Sequence, residues 1–326
     1  MREAWVITDG AAGNERQALA LAQALDAPAR VLALPLRNPW GWAAPRCLPG
    51  GRLALAARDR RVFAPPWPSL AIGCGRSAAL LTRLLRELSG GECFCVQILD
   101  PRIDPRHWDA VVAPRHDRLR GANVIATLGS LNTVDDAWLA AGREAFADFG
   151  HLPRPRTALL MGGPRRGIAF DQTLARALAE GITRRLQFEG GSVLATASRR
   201  TPPAFAMQLR EALAPFPGMF WRDDGDGPNP YPGLLGWADR VVVTPDSVNM
   251  LSEAVATGVP AHTLTLATLP DKLARFHADM RERGSLYDLD AVVAKPSAPP
   301  LRETAHVAAW LRERLAARKQ ATARSP

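Results

Sequence analysis

The sequence predicts an α/β protein built from two doubly wound, Rossmann-like domains facing a central cleft. Three observations carry that prediction. Short runs of β-branched and apolar residues alternate with helix-length amphipathic segments along almost the whole chain. Many of the strand-to-helix junctions bear glycine. The alternation breaks at His151-Leu152-Pro153-Arg154-Pro155-Arg156 and then restarts, which reads as a linker between two halves.

Length and composition agree. The 326 residues are 47% hydrophobic, enough for each half to bury its own core. The net charge is +9 and almost wholly arginine, since Lys272, Lys295 and Lys319 are the only lysines. An arginine-rich surface favours anionic partners such as phosphates or anionic lipid surfaces. Aromatic content is 6% and no nucleic-acid motif is present, so nucleic acid is not an expected partner. Cys47, Cys74, Cys93 and Cys95 lack zinc-ligand spacing, and Cys93 and Cys95 read as strand packing. No metal site is expected. The N-terminus enters a strand at once without a signal-peptide pattern, and no apolar run reaches membrane-spanning length. The expected setting is cytoplasmic, with a peripheral association at the inner membrane held open.

In chain order, Ala4 to Thr8 is a strand, followed by the turn Asp9-Gly10-Ala11-Ala12-Gly13-Asn14 and a helix from Glu15 to Leu25. Asp9 stands at a strand end, as a ligand-positioning or catalytic carboxylate or as a turn aspartate bonding its own backbone. Val31 to Leu34 is a strand. Residues 37–69 are irregular and rich in proline and tryptophan, with a short helix over Leu53 to Arg61; the tryptophans read as a packed knot or an exposed binding lip. Leu70 to Ile72 leads through Gly73-Cys74-Gly75-Arg76-Ser77 into a helix over Ala78 to Leu88. Strands follow at Phe94 to Leu99, Ala110 to Val112 and Val124 to Leu128. His116 and Asp117 lie after one strand end, as a base with its orienting partner or as a polar loop pair. A helix over Asp135 to Phe149 precedes the linker.

In the second half, Thr157 to Met161 is a strand ending in Gly162-Gly163-Pro164-Arg165-Arg166-Gly167. That turn suits a diphosphate cradled by backbone N–H groups and arginines, although no P-loop lysine follows. A helix spans Asp171 to Phe188. Ser192 to Thr196 is a strand ending in Ser198, Arg199 and Arg200, before a helix over Pro203 to Leu213. Phe220 and Trp221 form a short strand, and a loop carrying Asn229 and Tyr231 leads to a short helix, Leu234 to Ala238. Val241 to Val243 is a buried strand broken by Thr244-Pro245-Asp246-Ser247. The next helix buries Val248, Leu251 and Val255 and shows Asn249 and Glu253 on its other face. Asp246 or Ser247 caps it, and Gly258 and Pro260 end it. His262 to Leu266 is a strand, Asp271 to Arg283 a helix, and Thr304 to Leu315 a closing helix before a frayed basic tail.

The segments TDGAAGNERQALALAQAL, GCGRSAALL, VQILDPRIDPRHWDAVVAPRHD, NVIATLGSLNTV, LLMGGPRRG, TASRRTP, NPYPGLLGWADRVVVTPDSVNMLSEAVATGVP and Lys272 to His277 together resemble the mitochondrial fission ELM family. The C-terminal half also resembles GT-B glycosyltransferases of the class containing the peptidoglycan N-acetylglucosaminyltransferase. That resemblance implies a GT-B-like fold, with residues 1–152 as the acceptor or partner domain, 153–300 as the nucleotide-sugar domain, and 301–326 as closing helix and tail. It implies that Ser247, Val248 and the helix N-terminus meet a diphosphate and that Glu253 holds ribose hydroxyls. It places Gly162, Gly163 and Arg165 along the donor site, with Ser198 and Arg199 beside it, and Asn229, Tyr231, Asp246 and Asn249 join the candidate set. Nucleotide sugar is then substrate rather than cofactor, no cofactor is expected, and the acceptor is an envelope component. The glycine loop of the N-terminal half lacks the histidine that such enzymes often use as base, leaving Asp9 first and His116 second. The family's plant member implies another role, recruiting a dynamin-related protein to a membrane surface. The function expected is glycosyl transfer in cell-envelope glycan metabolism, with non-catalytic recruitment and nucleotide-sugar epimerisation as alternatives.

Overall fold

A computed structural model describes residues 3–324. It divides into two compact units, residues 1–132 with 303–326, and residues 133–302.

The first unit holds a six-stranded parallel sheet of order β2-β1-β3-β4-β5-β6. Its strands are β1 (Ala4–Thr8), β2 (Ala29–Ala33), β3 (Leu70–Cys74), β4 (Phe94–Ile98), β5 (Ala110–Pro114) and β6 (Val124–Thr127). Apart from the edge strands they are almost wholly buried, which is why they read as continuous apolar runs. Helices α1 (Ala12–Ala24), α2 (Trp40–Ala43), α3 (Ala57–Val62) and α4 (Arg76–Leu88) follow the first three strands. One sheet face is covered by α1 and by Val307, Ala308 and Leu311 of the closing helix. The other is covered by α4 and the 37–69 segment. That segment divides: Trp67 packs edge-on against Trp5 and Phe63 at about 6 Å, while Trp42 is 74% exposed.

The second unit holds a parallel sheet of order β12-β11-β10-β7-β8-β9. Its strands are β7 (Arg156–Met161), β8 (Ser192–Ala197), β9 (Gly218–Trp221), β10 (Arg240–Val243), β11 (Ala261–Thr263) and β12 (Leu286–Asp288). Between them run α5 (Asp136–Ala145, before β7), α6 (Gln172–Glu189), α7 (Pro203–Leu213), α8 (Tyr231–Trp237), α9 (Val248–Ala256) and α10 (Asp271–Glu282), and α11 (Glu303–Arg324) closes the chain. The three-residue edge strand β12 was not foreseen.

The division of the chain differs from the expected one at both ends. Residues 133–152 belong to the second unit, because α5 packs on α8 so closely that a Cβ on Gly142 would lie 2.3 Å from the Pro232 carbonyl oxygen. The expected linker is itself tied down. Asp239 accepts from the Arg154 guanidinium and from the Arg156 amide, and the Arg156 guanidinium lies 5.2 Å over the Trp237 ring. The closing helix belongs to the first unit, where Glu303 accepts from the Leu128 amide at 2.7 Å and Thr304 bonds both the amide and the carbonyl of Asn132. The tail expected to fray stays helical to Arg324, with the Arg318 guanidinium bonded to the Gly91 and Glu92 carbonyls.

Candidate functional site

In the second unit the chain builds β7, β8 and β9 outward on one side, then crosses over to build β10, β11 and β12 on the other. Ligand crevices of open α/β sheets lie at the carboxyl ends of the two strands where the order reverses. Here those are β7 and β10, and two of the candidate segments, Gly162-Gly163 and Thr244 to Ser247, follow them directly.

The two segments are bonded to each other. The Gly162 amide donates to Thr244 Oγ1 at 2.8 Å, and that hydroxyl donates to Asp246 Oδ1 at 2.8 Å. Asp246 Oδ2 accepts from the Gly163 amide and from Arg200 Nη2, each at 3.1 Å. The Asp246 residue is only 1% exposed. Burial raises its carboxyl above the ordinary aspartate range, and the Gly163 amide, the Thr244 hydroxyl and Arg200 oppose that rise. Glycine is required for close approach: a Cβ at Gly162 would lie 2.2 Å from Asp246 Oδ1, and one at Gly163 2.4 Å from the Arg200 carbonyl oxygen. Asp246 is therefore a buried tie between two loops, and its carboxylate does not face an incoming ligand.

Other side chains hold the same loops. Arg165 Nη1 donates to the Asp246 carbonyl at 2.8 Å. His277 Nε2 donates to the Pro245 carbonyl at 2.9 Å, and burial pulls this histidine down to about 4, so it stays neutral. Ser198 Oγ and Thr201 Oγ1 donate to the Gly162 carbonyl at 3.0 and 2.5 Å, so the Ser198 hydroxyl is used in shaping the turn. Arg199, next in sequence, is exposed, as is Arg166. The roles of Arg200, Thr244 and His277 were missed, because each acts on a segment distant in the chain, a contact that no local spacing reveals.

Helix α9 starts at Ser247, whose Oγ accepts from the Met250 amide at 3.3 Å. The hydroxyl thus caps the helix, and the first-turn N–H groups at Val248 and Asn249 stand at its positive end. Glu253, one turn on, accepts from the Tyr231 hydroxyl at 2.5 Å. The structure therefore brings together two candidates that lie on separate segments. Asn229 does something else: its Oδ1 accepts from the Tyr231 amide at 3.0 Å, which starts α8. Beside Pro245 lies a cavity of about 250 Å³, walled by Ile168, Leu174, Leu266 and Leu269, with the Thr265 hydroxyl buried and without a hydrogen-bond partner.

The first unit reverses its strand order between β1 and β3. Asp9 follows β1 there. Its Oδ1 accepts from the Ala11 amide at 3.0 Å and from Asn14 Nδ2 at 3.3 Å, and the residue is exposed. Gly75, opposite, has φ +89°, and a Cβ there would lie 2.6 Å from Asn14 Nδ2. His116 follows β5, three strand spacings from β1, or roughly 14 Å at the usual spacing. The two candidate bases are alternatives and cannot share one proton.

Comparison with known proteins places this geometry. A family model described as Mitochondrial fission ELM1 matches residues 12–315. The mitochondrial fission protein ELM1 of Arabidopsis thaliana is 32% identical over 287 residues, covering 79% of this chain and 66% of its own length. This chain thus spans slightly under two thirds of that relative. Among solved structures, the UDP-GlcNAc 2-epimerase of Methanocaldococcus jannaschii superposes with a TM-score of 0.58 at 12% identity, over 96% of this chain and all of its own. MurG of Acinetobacter baumannii gives 0.51 at 15% identity, over 97% and 92%. At these identities the likeness speaks for the fold, which is of the GT-B kind.

Proposed function

The chain belongs to the mitochondrial fission ELM1 family, and from that premise we propose that its second unit binds a nucleoside-diphosphate sugar at the β7/β10 crossover and serves glycosyl transfer in cell-envelope glycan metabolism. The observation that carries this reading is the meeting of three features at one crossover. These are a glycine turn held against Asp246, the capped N-terminus of α9, and the exposed guanidiniums of Arg165, Arg166 and Arg199. Helix-end N–H groups and guanidiniums are the usual partners of a diphosphate, and they stabilise one that is leaving.

Under this reading, Val248 and Asn249 present N–H groups to the diphosphate while Arg165 and Arg199 balance its charge. The Tyr231–Glu253 pair meets the ribose, with Glu253 accepting from its hydroxyls. Gly162, Gly163, Ser198, Ser247 and Asp246 shape the turn from behind. Asp9 is the proposed base for an acceptor hydroxyl and His116 the second candidate. The name of one fold neighbour, a UDP-GlcNAc 2-epimerase, lends support to UDP as the nucleotide.

The test is calorimetric titration with UDP-, GDP-, ADP- and CMP-sugars, using wild type, Glu253→Ala and Arg199→Gln. One nucleotide should bind, and both variants should weaken it. No binding at millimolar ligand would sink the proposal. Turnover with and without an acceptor then separates transfer from hydrolysis and from epimerisation, and Asp9→Asn should abolish transfer without weakening donor binding.

Family membership favours a second reading, because the Arabidopsis relative is named for mitochondrial fission. A protein that recruits a partner at an anionic membrane surface would use its outer faces and keep the crossover only as scaffold. No helix among the described residues is long and apolar enough to cross a membrane. Vesicle binding by a protein that ignores all four sugar nucleotides would favour this reading.

A further inference from the structure

The first unit carries a second concave site, at the edge of its sheet opposite Asp9 and His116. A cavity of about 510 Å³ opens at the amino ends of β5 and β6, where the 104–109 turn, the 120–123 loop, the last turn of α4 and α11 meet. That volume lies in the range of small-molecule sites. Four guanidiniums line it, from Arg86, Arg106, Arg120 and Arg314, against two carboxylates, Asp104 and Asp109.

Both carboxylates are already engaged. Asp104 is held by the Arg106 guanidinium and the Arg106 amide. Asp109 accepts from Arg86 Nε at 3.1 Å and the Cys95 amide at 2.8 Å, with Arg318 at 3.7 Å. Positive charge is left over, chiefly on Arg120 and Arg314. The Arg314 guanidinium is fixed in place, bonded to the Ala122 carbonyl and lying 4.2 Å over the Trp310 ring. Its Nε is nonetheless buried without an acceptor, an arrangement that costs free energy until an acceptor arrives. The walls are fastened as well: Asn123 Nδ2 donates to the Pro105 and Trp108 carbonyls at 2.8 and 2.9 Å, joining the turn to the loop.

A pre-shaped pocket with surplus guanidinium forks and an unmet N–H is chemistry for a planar or tetrahedral oxyanion. We infer that this groove is a binding site for a phosphate-bearing anion, separate from the β7/β10 crossover. The phosphate comes from a soluble organic phosphate or from the headgroup of an anionic lipid.

Two probes separate these sources, each applied to the full chain: inorganic pyrophosphate by titration calorimetry, and phosphatidic-acid vesicles by co-sedimentation, with phosphatidylcholine vesicles as reference. The variant is Arg106→Gln/Arg120→Gln, whose side chains are exposed, and its melting temperature checks folding. Arg199→Gln isolates any binding at the second unit. The double variant should lose one equivalent of bound pyrophosphate, or weaken it by at least about tenfold, ~1.4 kcal/mol, while Arg199→Gln leaves that equivalent in place. Loss of phosphatidic-acid binding in the same variant identifies a lipid source. Loss with pyrophosphate alone identifies a soluble one. If neither probe binds, or if both bind the double variant as they bind wild type, the inference is overturned.

Discussion

Each unit ends a pair of strands at a reversal of order and places an aspartate in the turn that follows, yet the two aspartates do opposite things. At β1/β3, Asp9 is exposed and bonded to its own turn and to Asn14. At β7/β10, Asp246 is buried and bonded to Gly163, Thr244 and Arg200. The first keeps a carboxylate at the surface, open to solvent. The second uses its carboxylate to hold two loops together, so that a helix end and arginines can face a ligand. An acid at a strand end is thus a placement, and burial with inward donors decides what it is for.

The comparison can be tested, and the largest expected effect is on pH dependence. His262 and His277 of the second unit are fully buried, and burial pulls both down to about 4 from an ordinary 6.5. Between those values the unfolded chain binds the protons and the folded unit does not, so stability is lost as pH falls from 6.5 to 4. The loss is up to roughly 3 kcal/mol per histidine, at ~1.4 kcal/mol for each pKa unit. Asp246, shifted upward, offsets part of this at the acid end. Urea unfolding of the second unit across that window should show the decline, and a flat profile would refute the buried neutral state.

Next in size is Gly162→Ala, whose Cβ would strike a buried carboxylate with no room to move. It should cost about 3–5 kcal/mol in urea unfolding. Gly75→Ala meets the end of the Asn14 side chain and a left-handed backbone, and should cost about 1–2 kcal/mol. Equal costs would erase the distinction between the two crossovers. Asp246→Ala, which leaves the Gly163 amide unpaired, should cost about 2–3 kcal/mol by the same measurement, whereas Asp9→Asn should change stability by under ~0.5 kcal/mol. A smaller loss than that from Asp246→Ala is expected from Tyr231→Phe, about 1 kcal/mol for one hydrogen bond. No change there would mean that the Tyr231–Glu253 pair is not formed in solution.

Much of this fold was legible in the sequence because its strands are buried on both faces. Val241, Val242 and Val243 could hardly be anything else, and a cap at Asp246 or Ser247 with a stop at Gly258 framed α9, the structure choosing Ser247. The division of the chain was not legible. Pro153, Arg154 and Pro155 look like a linker by composition, and it takes groups far along the chain, the Asp239 carboxylate and Ser192, to show that they are tied down. The α5–α8 contact depends on Gly142, Gly233 and Gly236, whose value lies in what they leave out, so periodicity gives no sign of it. Within the candidate site, the Ser198 hydroxyl is used on the Gly162 carbonyl of the neighbouring turn, and the Asn229 side chain on its own turn.

The sequence by itself determined the α/β alternation, the strands, the helix caps and the arginine-dominated charge, because these follow from local periodicity and composition. Tertiary structure decided which acid is buried and which is exposed, where the chain divides, and that four arginines from distant segments line one groove. Those outcomes depend on contacts such as Arg200 to Asp246, 46 residues apart, and Gly163 to Asp246, 83 apart. Desolvation and hydrogen-bond satisfaction act on neighbours in space, and a linear pattern does not state who those neighbours are.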